Sequence, residues 1–194
     1  VLSEKSCEKL EKVLVMNLDC TALGMLISLH TGLRIGEVCA LKWSDVDIER
    51  KILTVRQTVA RVKANSNDNC KSKLILDAPK TKNSLREIPI NSFLLPLLVK
   101  KKSESVSDFV ISEQKTFVSP RTFEYRYHKT LERFDIEQVN YHSLRHTFAT
   151  RCIERGVDCK SLSEILGHAN VNITLNTYVH SSMELKRIQI EKLI

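Results

Sequence analysis

The sequence predicts a mainly α fold with a small antiparallel β-sheet (α+β). Three observations predict it. Apolar residues recur at helical spacing near both ends of the chain. β-branched residues gather instead in short runs between about residues 51 and 90. No internal repeat is visible in the 194 residues, a length that suits one domain, with or without a small appendage.

Ser3 is a natural N-cap for an opening helix that carries Leu10, Val13 and Leu14 on one face. A second helical pattern runs from about Thr21 to His30 and stops at Thr31-Gly32. Ile35 to Leu41 reads as a further short helix. Lys51 to Val62, with Ile52, Thr54, Val55, Thr58 and Val59, reads as strand. Ala64 to Lys73 is polar and reads as a loop. Leu74 to Leu76 and Arg86 to Ile90 are short strands around a basic turn, and together these strands form one small sheet. A helix resumes at Asn91 with Phe93, Leu94, Leu97 and Leu98. Asp108 to Ile111 is a short extended piece. Pro120 to Phe134, Tyr141 to Arg155, Cys159 to Leu166 and Ile173 to Tyr178 read as helices, with Gly156 and Gly167 as C-terminal stops.

Apolar residues make up 42% of the chain, enough for a real core, and charged residues 27%, which argues against wholesale disorder. The formal net charge of +7 suits a polyanionic partner, nucleic acid first and an anionic membrane surface second. The six cysteines form no C-x-x-C pair and no zinc-spaced cluster with histidine, so reduced thiols in the cytoplasm are expected. No signal peptide and no membrane-length apolar run are visible. Because the first residue is Val1, the chain is expected to be a piece of a longer protein.

Four segments stand out: Thr31-Gly32-Leu33-Arg34-Ile35-Gly36-Glu37; Pro79-Lys80-Thr81-Lys82 leading to Arg86-Glu87-Ile88-Pro89; His142-Ser143-Leu144-Arg145-His146; and Leu166-Gly167-His168, followed ten residues later by Tyr178. Each has an ordinary reading. Arg34 fits a surface arginine, and Lys80 and Lys82 a solvated charge run. His142 and Arg145, at i and i+3, share a helix face as any polar stripe does. Tyr178 fits a core tyrosine with a bonded hydroxyl.

Read in order, the series Arg34, Lys80, His142-x-x-Arg145, His168, Tyr178 resembles the tyrosine recombinases, the lambda-integrase-like enzymes. The resemblance runs from about Leu2 to His180. TGLRIGEVCALKWSDVD is similar to the family's first arginine box, PKTKNSLREIPI to its lysine hairpin, and YHSLRHTFAT with LGHANVNITLNTYVH to its second box. The wording is nearest to integrases of phages and of integrative or conjugative elements. The implied fold is the catalytic domain of that family over 1-180, followed by an apolar C-terminal tail, 181-194, that docks either on its own domain or, as the resemblance implies, on a neighbouring protomer. The family's N-terminal DNA-clamping domain is not read in this chain.

The resemblance also implies roles. Tyr178 attacks a DNA phosphodiester and is held covalently as a 3′-phosphotyrosine. Its hydroxyl, with an ordinary pKa near 10, is ionised only about one part in a thousand at pH 7, so it needs a proton acceptor, a role that falls to His142. Arg34 and Arg145 can grip the non-bridging oxygens with guanidinium forks. Lys80 protonates the leaving 5′-oxygen, with Lys82 two residues away as the alternative. His168 hydrogen-bonds the phosphate. The expected partners are double-stranded DNA at an attachment or recombination site and further copies of the chain, as a tetramer on DNA. No metal, ATP or other cofactor and no membrane is expected, and the setting is a bacterial cytoplasm. Glu37, three residues after Arg34, buttresses that arginine or caps helix charge, and His146 and His180 read as packing groups beside the site. A non-catalytic DNA-binding module and a type IB topoisomerase-like nicking-closing enzyme are the competing readings.

Overall fold

The computed structural model describes residues 1–63, 71–78, 84–178, 187 and 190–191. Lys80, Lys82, His180, the loop expected after Ala64 and nearly all of the 181-194 tail lie outside the described residues.

Eight helices and five short strands follow one another in the described chain: α1 (Glu4–Met16), α2 (Cys20–Thr31), α3 (Ile35–Ala40), β1 (Val46–Asp47), β2 (Ile52–Val55), β3 (Thr58–Lys63), β4 (Ser72–Asp77), β5 (Arg86–Pro89), α4 (Leu94–Glu104), α5 (Pro120–Arg133), α6 (His142–Glu154), α7 (Cys159–Leu166) and α8 (Val171–Tyr178). Ser3 caps α1 as expected, its Oγ accepting from Ser6 N at 3.2 Å, and Asp19, Ser119 and Asp158 cap α2, α5 and α7 in the same way. Asn91 Oδ1 takes Leu94 N at 2.8 Å where α4 begins.

α2 explains the architecture. Its sequence, CTALGMLISLHT, is apolar nearly all round, and a helix with no polar face must be buried on every side. It runs through the core and packs against α1, α3, α4, α5 and α6. Leu23, Met25, Leu26, Ile27 and Leu29 are fully enclosed, each stabilising the fold by roughly 1.5–3 kcal/mol relative to exposure. α6 lies along α2, and Ser28 Oγ meets the Tyr141 hydroxyl at 2.6 Å where α6 begins.

The strands differ from expectation. They form two sheets among the described residues, a three-stranded one in the order β1-β2-β5 and a two-stranded one, β3-β4, all antiparallel. The run Lys51 to Val62 breaks at Arg56-Gln57, between β2 and β3. β4 does not pair with β5; it returns along β3, while β5 crosses to β2, with Leu53 opposite Ile88 and Val55 opposite Arg86. The cause is burial: Leu53, Val55 and Ile88 belong to the main core, whereas β3 beyond Val59 carries exposed Arg61 and Lys63.

α2 and α7 end in the same way. Gly32 (φ 68°) and Gly167 (φ 65°) close them in the left-handed conformation, which glycine adopts without strain. A Cβ on Gly32 would lie 2.6 Å from Phe148 and 2.7 Å from Leu166. This close approach brings the ends of α2 and α7 together.

Candidate active site

Arg34 stands at the junction of α2 and α3 as the N-cap of α3. Glu37, one turn in, reaches back to it. Its Oε2 accepts from the Arg34 backbone N–H at 2.9 Å and its Oε1 from Arg34 Nη1 at 3.0 Å. Glu37 therefore both caps the helix and holds the arginine. The Arg34 side chain is 39% exposed, while that of Glu37 is only 5% exposed.

The carboxylate has a second partner. Arg86, at the start of β5, points inward with Ile88, as the two-residue period of a strand requires. Its Nη1 and Nη2 reach Glu37 Oε1 and Oε2 at 3.1 and 2.9 Å, a fork-on-fork pair. Its Nε donates to Ile165 O in α7 at 2.6 Å, and Nη1 also reaches Ser84 O at 3.1 Å. Burial works to raise the Glu37 pKa, but the bonds and charge of Arg86, then Arg34, outweigh it and hold it low.

Arg145, one turn into α6, is 2% exposed. It donates Nη1 to Gly32 O at 2.7 Å and Nη2 to Leu166 O at 2.8 Å, the two carbonyls beside the glycine stops. Burial and the repulsion of Arg34 push its pKa down to about 9, which leaves it cationic at neutral pH. Arg145 lies in the fields of Arg34, Glu37, Arg86 and Tyr178, so α3, β5, α6 and the end of α8 converge here.

Tyr178, the last residue of α8, is half-buried against a small cluster of Ala149, Leu162 and Leu166. Its hydroxyl lies 2.8 Å from His146 Nδ1. His142, one turn earlier on α6, sets its ring edge-on to His146 with centroids 4.6 Å apart. Burial raises the Tyr178 pKa, against the pull of Arg145 and Arg34. Burial lowers both histidine pKa values, which favours the neutral rings, and in the tautomer with its proton on Nε2 His146 accepts from the tyrosine.

His168 follows the α7 stop, and its Nδ1 meets the fully buried Thr174 Oγ1 at 2.8 Å. Burial first, then Arg145, Arg34, Arg86 and His142, drive its pKa to about 4. The sign is that of a group protonated more readily unfolded than folded. Its contribution to stability is therefore complete above its ordinary value of 6.5 and falls away as pH drops toward about 4. His168→Gln is expected to flatten the fall in denaturation midpoint across that window. An unchanged profile would mean that His168 does not carry the slope.

The structure thus gathers Arg34, His142, Arg145, His168 and Tyr178 at one place, while Lys80 lies outside the described residues. Two groups in the cluster carried no site role in the sequence: Arg86, which stood only as the end of the lysine segment, and His146, which read as a packing group rather than as a partner of the tyrosine. The first was foreshadowed by an arginine in phase with a core isoleucine, and the second by its i+4 position after His142. Among the described residues no group of histidine, cysteine or acidic side chains could hold a metal ion, no helix is long and apolar enough to cross a membrane, and Cys7, Cys20, Cys39, Cys152 and Cys159 are free thiols.

Solved structures share this fold. The Tn1549 transposon integrase, in complex with transposon right end DNA, superposes with a TM-score of 0.74 at 25% identity, over 89% of this chain and 58% of that one. The XerA recombinase, at 23% identity, superposes with a TM-score of 0.71 over 98% of this chain and 62% of its own. The profile of the phage integrase family matches residues 4–184, and the chain belongs to that family, as a catalytic domain of the tyrosine recombinase kind. A tyrosine recombinase XerC-like protein of Caldanaerobacter subterraneus is 36% identical over 185 residues, covering 87% of this chain and 47% of the relative. The transposase from transposon Tn916 of Enterococcus faecalis is 30% identical, covering 99% of this chain and 52% of its own length. The chain thus spans about half the length of these relatives.

Proposed function

We propose that this chain is the strand-cleaving and strand-joining domain of a site-specific DNA recombinase that integrates and excises a mobile element or phage. The observation that carries this reading is that Tyr178 sits on the helix end beside the His142–His146 pair and within the fields of two guanidinium groups, Arg145 and Arg34, which oppose the rise that burial causes in its pKa. A tyrosine beside cations suits attack on a phosphodiester, whose negative charge repels nucleophiles.

In the proposed step the Tyr178 oxygen bonds to phosphorus and the bond to the 5′-oxygen breaks. The products are a 3′-phosphotyrosine and a free 5′-hydroxyl. Arg34 and Arg145 stabilise the charge on the non-bridging oxygens, and His168 donates a hydrogen bond to them. The tyrosine proton leaves toward the histidine pair. Its hydroxyl lies against His146, and His142, the acceptor that the family likeness implies, lies in the fields of both Arg145 and Arg34 whereas His146 feels only Arg145 of the two. Lys80, by family likeness, protonates the leaving oxygen. Rejoining runs the same step backwards, so the aryl phosphodiester conserves the bond and no ATP or metal enters.

The substrate is double-stranded DNA, consistent with a net charge of +7, and the working unit is a tetramer on that DNA. A lambda integrase tetramer bound to a Holliday junction shares the fold, with a TM-score of 0.60. The test is covalent trapping. Nicked duplexes drawn from the DNA flanking the coding gene are incubated with the intact protein, and the adduct is digested and mapped. The expected adduct carries its nucleotide on the peptide containing Tyr178. Retarded DNA with no adduct would favour a binding module, and supercoil relaxation without strand exchange a nicking-closing enzyme.

A further inference from the structure

Arg86 is the most connected side chain of the cluster and plays no part in the chemistry above. It touches three pieces of the site at once: Glu37 with both terminal nitrogens, Ile165 O just before the Leu166-Gly167-His168 turn, and Ser84 O on the approach from the lysine segment. Its Nε and both terminal nitrogens are taken up by these protein acceptors.

We propose that Arg86 is a positioning residue that keeps Arg34 available to the scissile phosphate, an assignment that rests on the strand-transfer reading above. Arg34 and Arg86 compete for one carboxylate. Glu37 is buried and charged, and it must be fully compensated. With Arg86 forked across both its oxygens, it draws on Arg34 through the backbone N–H and one guanidinium nitrogen. Arg34 keeps a partly exposed fork and an uncommitted share of its charge. Without Arg86, Arg34 is the nearest cation left to the Glu37 carboxylate. The fork would turn inward, and its charge would be neutralised within the protein before DNA arrives. Arg86 also pins the carbonyl at the end of α7, so the same side chain fixes the two arginine-bearing elements against the turn that carries His168.

The test uses the intact protein and two nicked duplexes, one with an ordinary scissile phosphodiester and one with a methylphosphonate there. The methylphosphonate is neutral, so it has less need of the charge that Arg34 supplies. Arg86→Met is expected to slow cleavage of the diester about 100-fold while changing DNA retention less than about fivefold, the size of effect seen when one preorganised electrostatic contact is lost. On the methylphosphonate the defect should shrink to less than about tenfold. Arg86→Lys keeps the charge but cannot fork, so it should fold normally and show the same pattern at smaller size. Glu37→Gln placed on Arg86→Met removes the competing charge and should restore part of the diester rate. Equal defects on both substrates, or a loss of activity that only follows a loss of folded protein, would overturn the proposal, as would wild-type cleavage by both Arg86 variants. If the wild-type protein forms no adduct, or if Tyr178→Phe still does, the strand-transfer reading has failed instead.

Discussion

Tyr178→Phe is expected to abolish covalent attachment to DNA while leaving the fold and DNA retention nearly intact. The substitution deletes one oxygen. The ring stays against Ala149, Leu162 and Leu166, so the apolar packing of α8 survives. The hydrogen bond to His146 is lost, which costs about 0.5–1.5 kcal/mol, a small part of the stability of a domain this size. The proposed nucleophile is lost entirely, and no other tyrosine hydroxyl is placed to substitute: Tyr127 and Tyr141 are enclosed in the main core, and Tyr125 is on the exposed face of α5. The readout is an SDS-resistant complex on a nicked duplex, measured beside a gel shift. Wild-type amounts of that complex from the Phe protein would place the nucleophile elsewhere.

The second large effect is expected at Arg145. Arg145→Lys keeps a cation but has one nitrogen where two are needed, and Gly32 O and Leu166 O cannot both be reached as before. A buried carbonyl left without a donor costs about 1–3 kcal/mol, so the unfolding midpoint should fall measurably. The cleavage rate should fall further than stability does, by about 10²–10³, because the fork that faces the phosphate is lost as well. Urea unfolding and single-turnover cleavage, run on the same preparation, separate the two. Cleavage at the wild-type rate would remove Arg145 from the clamp.

The helices were legible because local signals agreed with global burial. Ser3 and Asn91 mark starts that the structure keeps, Gly32 and Gly167 mark stops, and the all-apolar α2 had to be central. The strand pairing was not legible. β3, β4 and β5 are all short and lie close together in sequence, and the antiparallel neighbour of each depends on which faces reach the core, a property of the assembled fold rather than of any one run. The candidate site divides in the same way. Arg34, His142, Arg145, His168 and Tyr178 could be read as a set because their order resembles that of a known family, and the fold brings the five together. Arg86 could not be ranked above the other basic residues around it until Glu37 was seen to be buried 49 positions away in sequence, and the His146–Tyr178 contact joins residues 32 positions apart.

The partners that hold the guanidinium groups have an electrical consequence. Arg145 is held by two helix-end carbonyls, which are dipoles and cancel none of its net charge. Arg34 and Arg86 share one carboxylate. Among the described residues, these three cations against one anion leave a group that is two units positive. A phosphodiester brings one negative charge, and its five-coordinate transition state carries about two on the non-bridging oxygens. On the proposed reading the cluster is therefore over-charged for the ground state and balanced for the transition state. The excess is maintained by the folding of α2, α6 and α7, which hold Arg145 among like charges that repel it. On the proposed reading DNA would be a counter-ion for this cluster as well as a substrate, and its arrival would relieve a tension that the protein alone must hold.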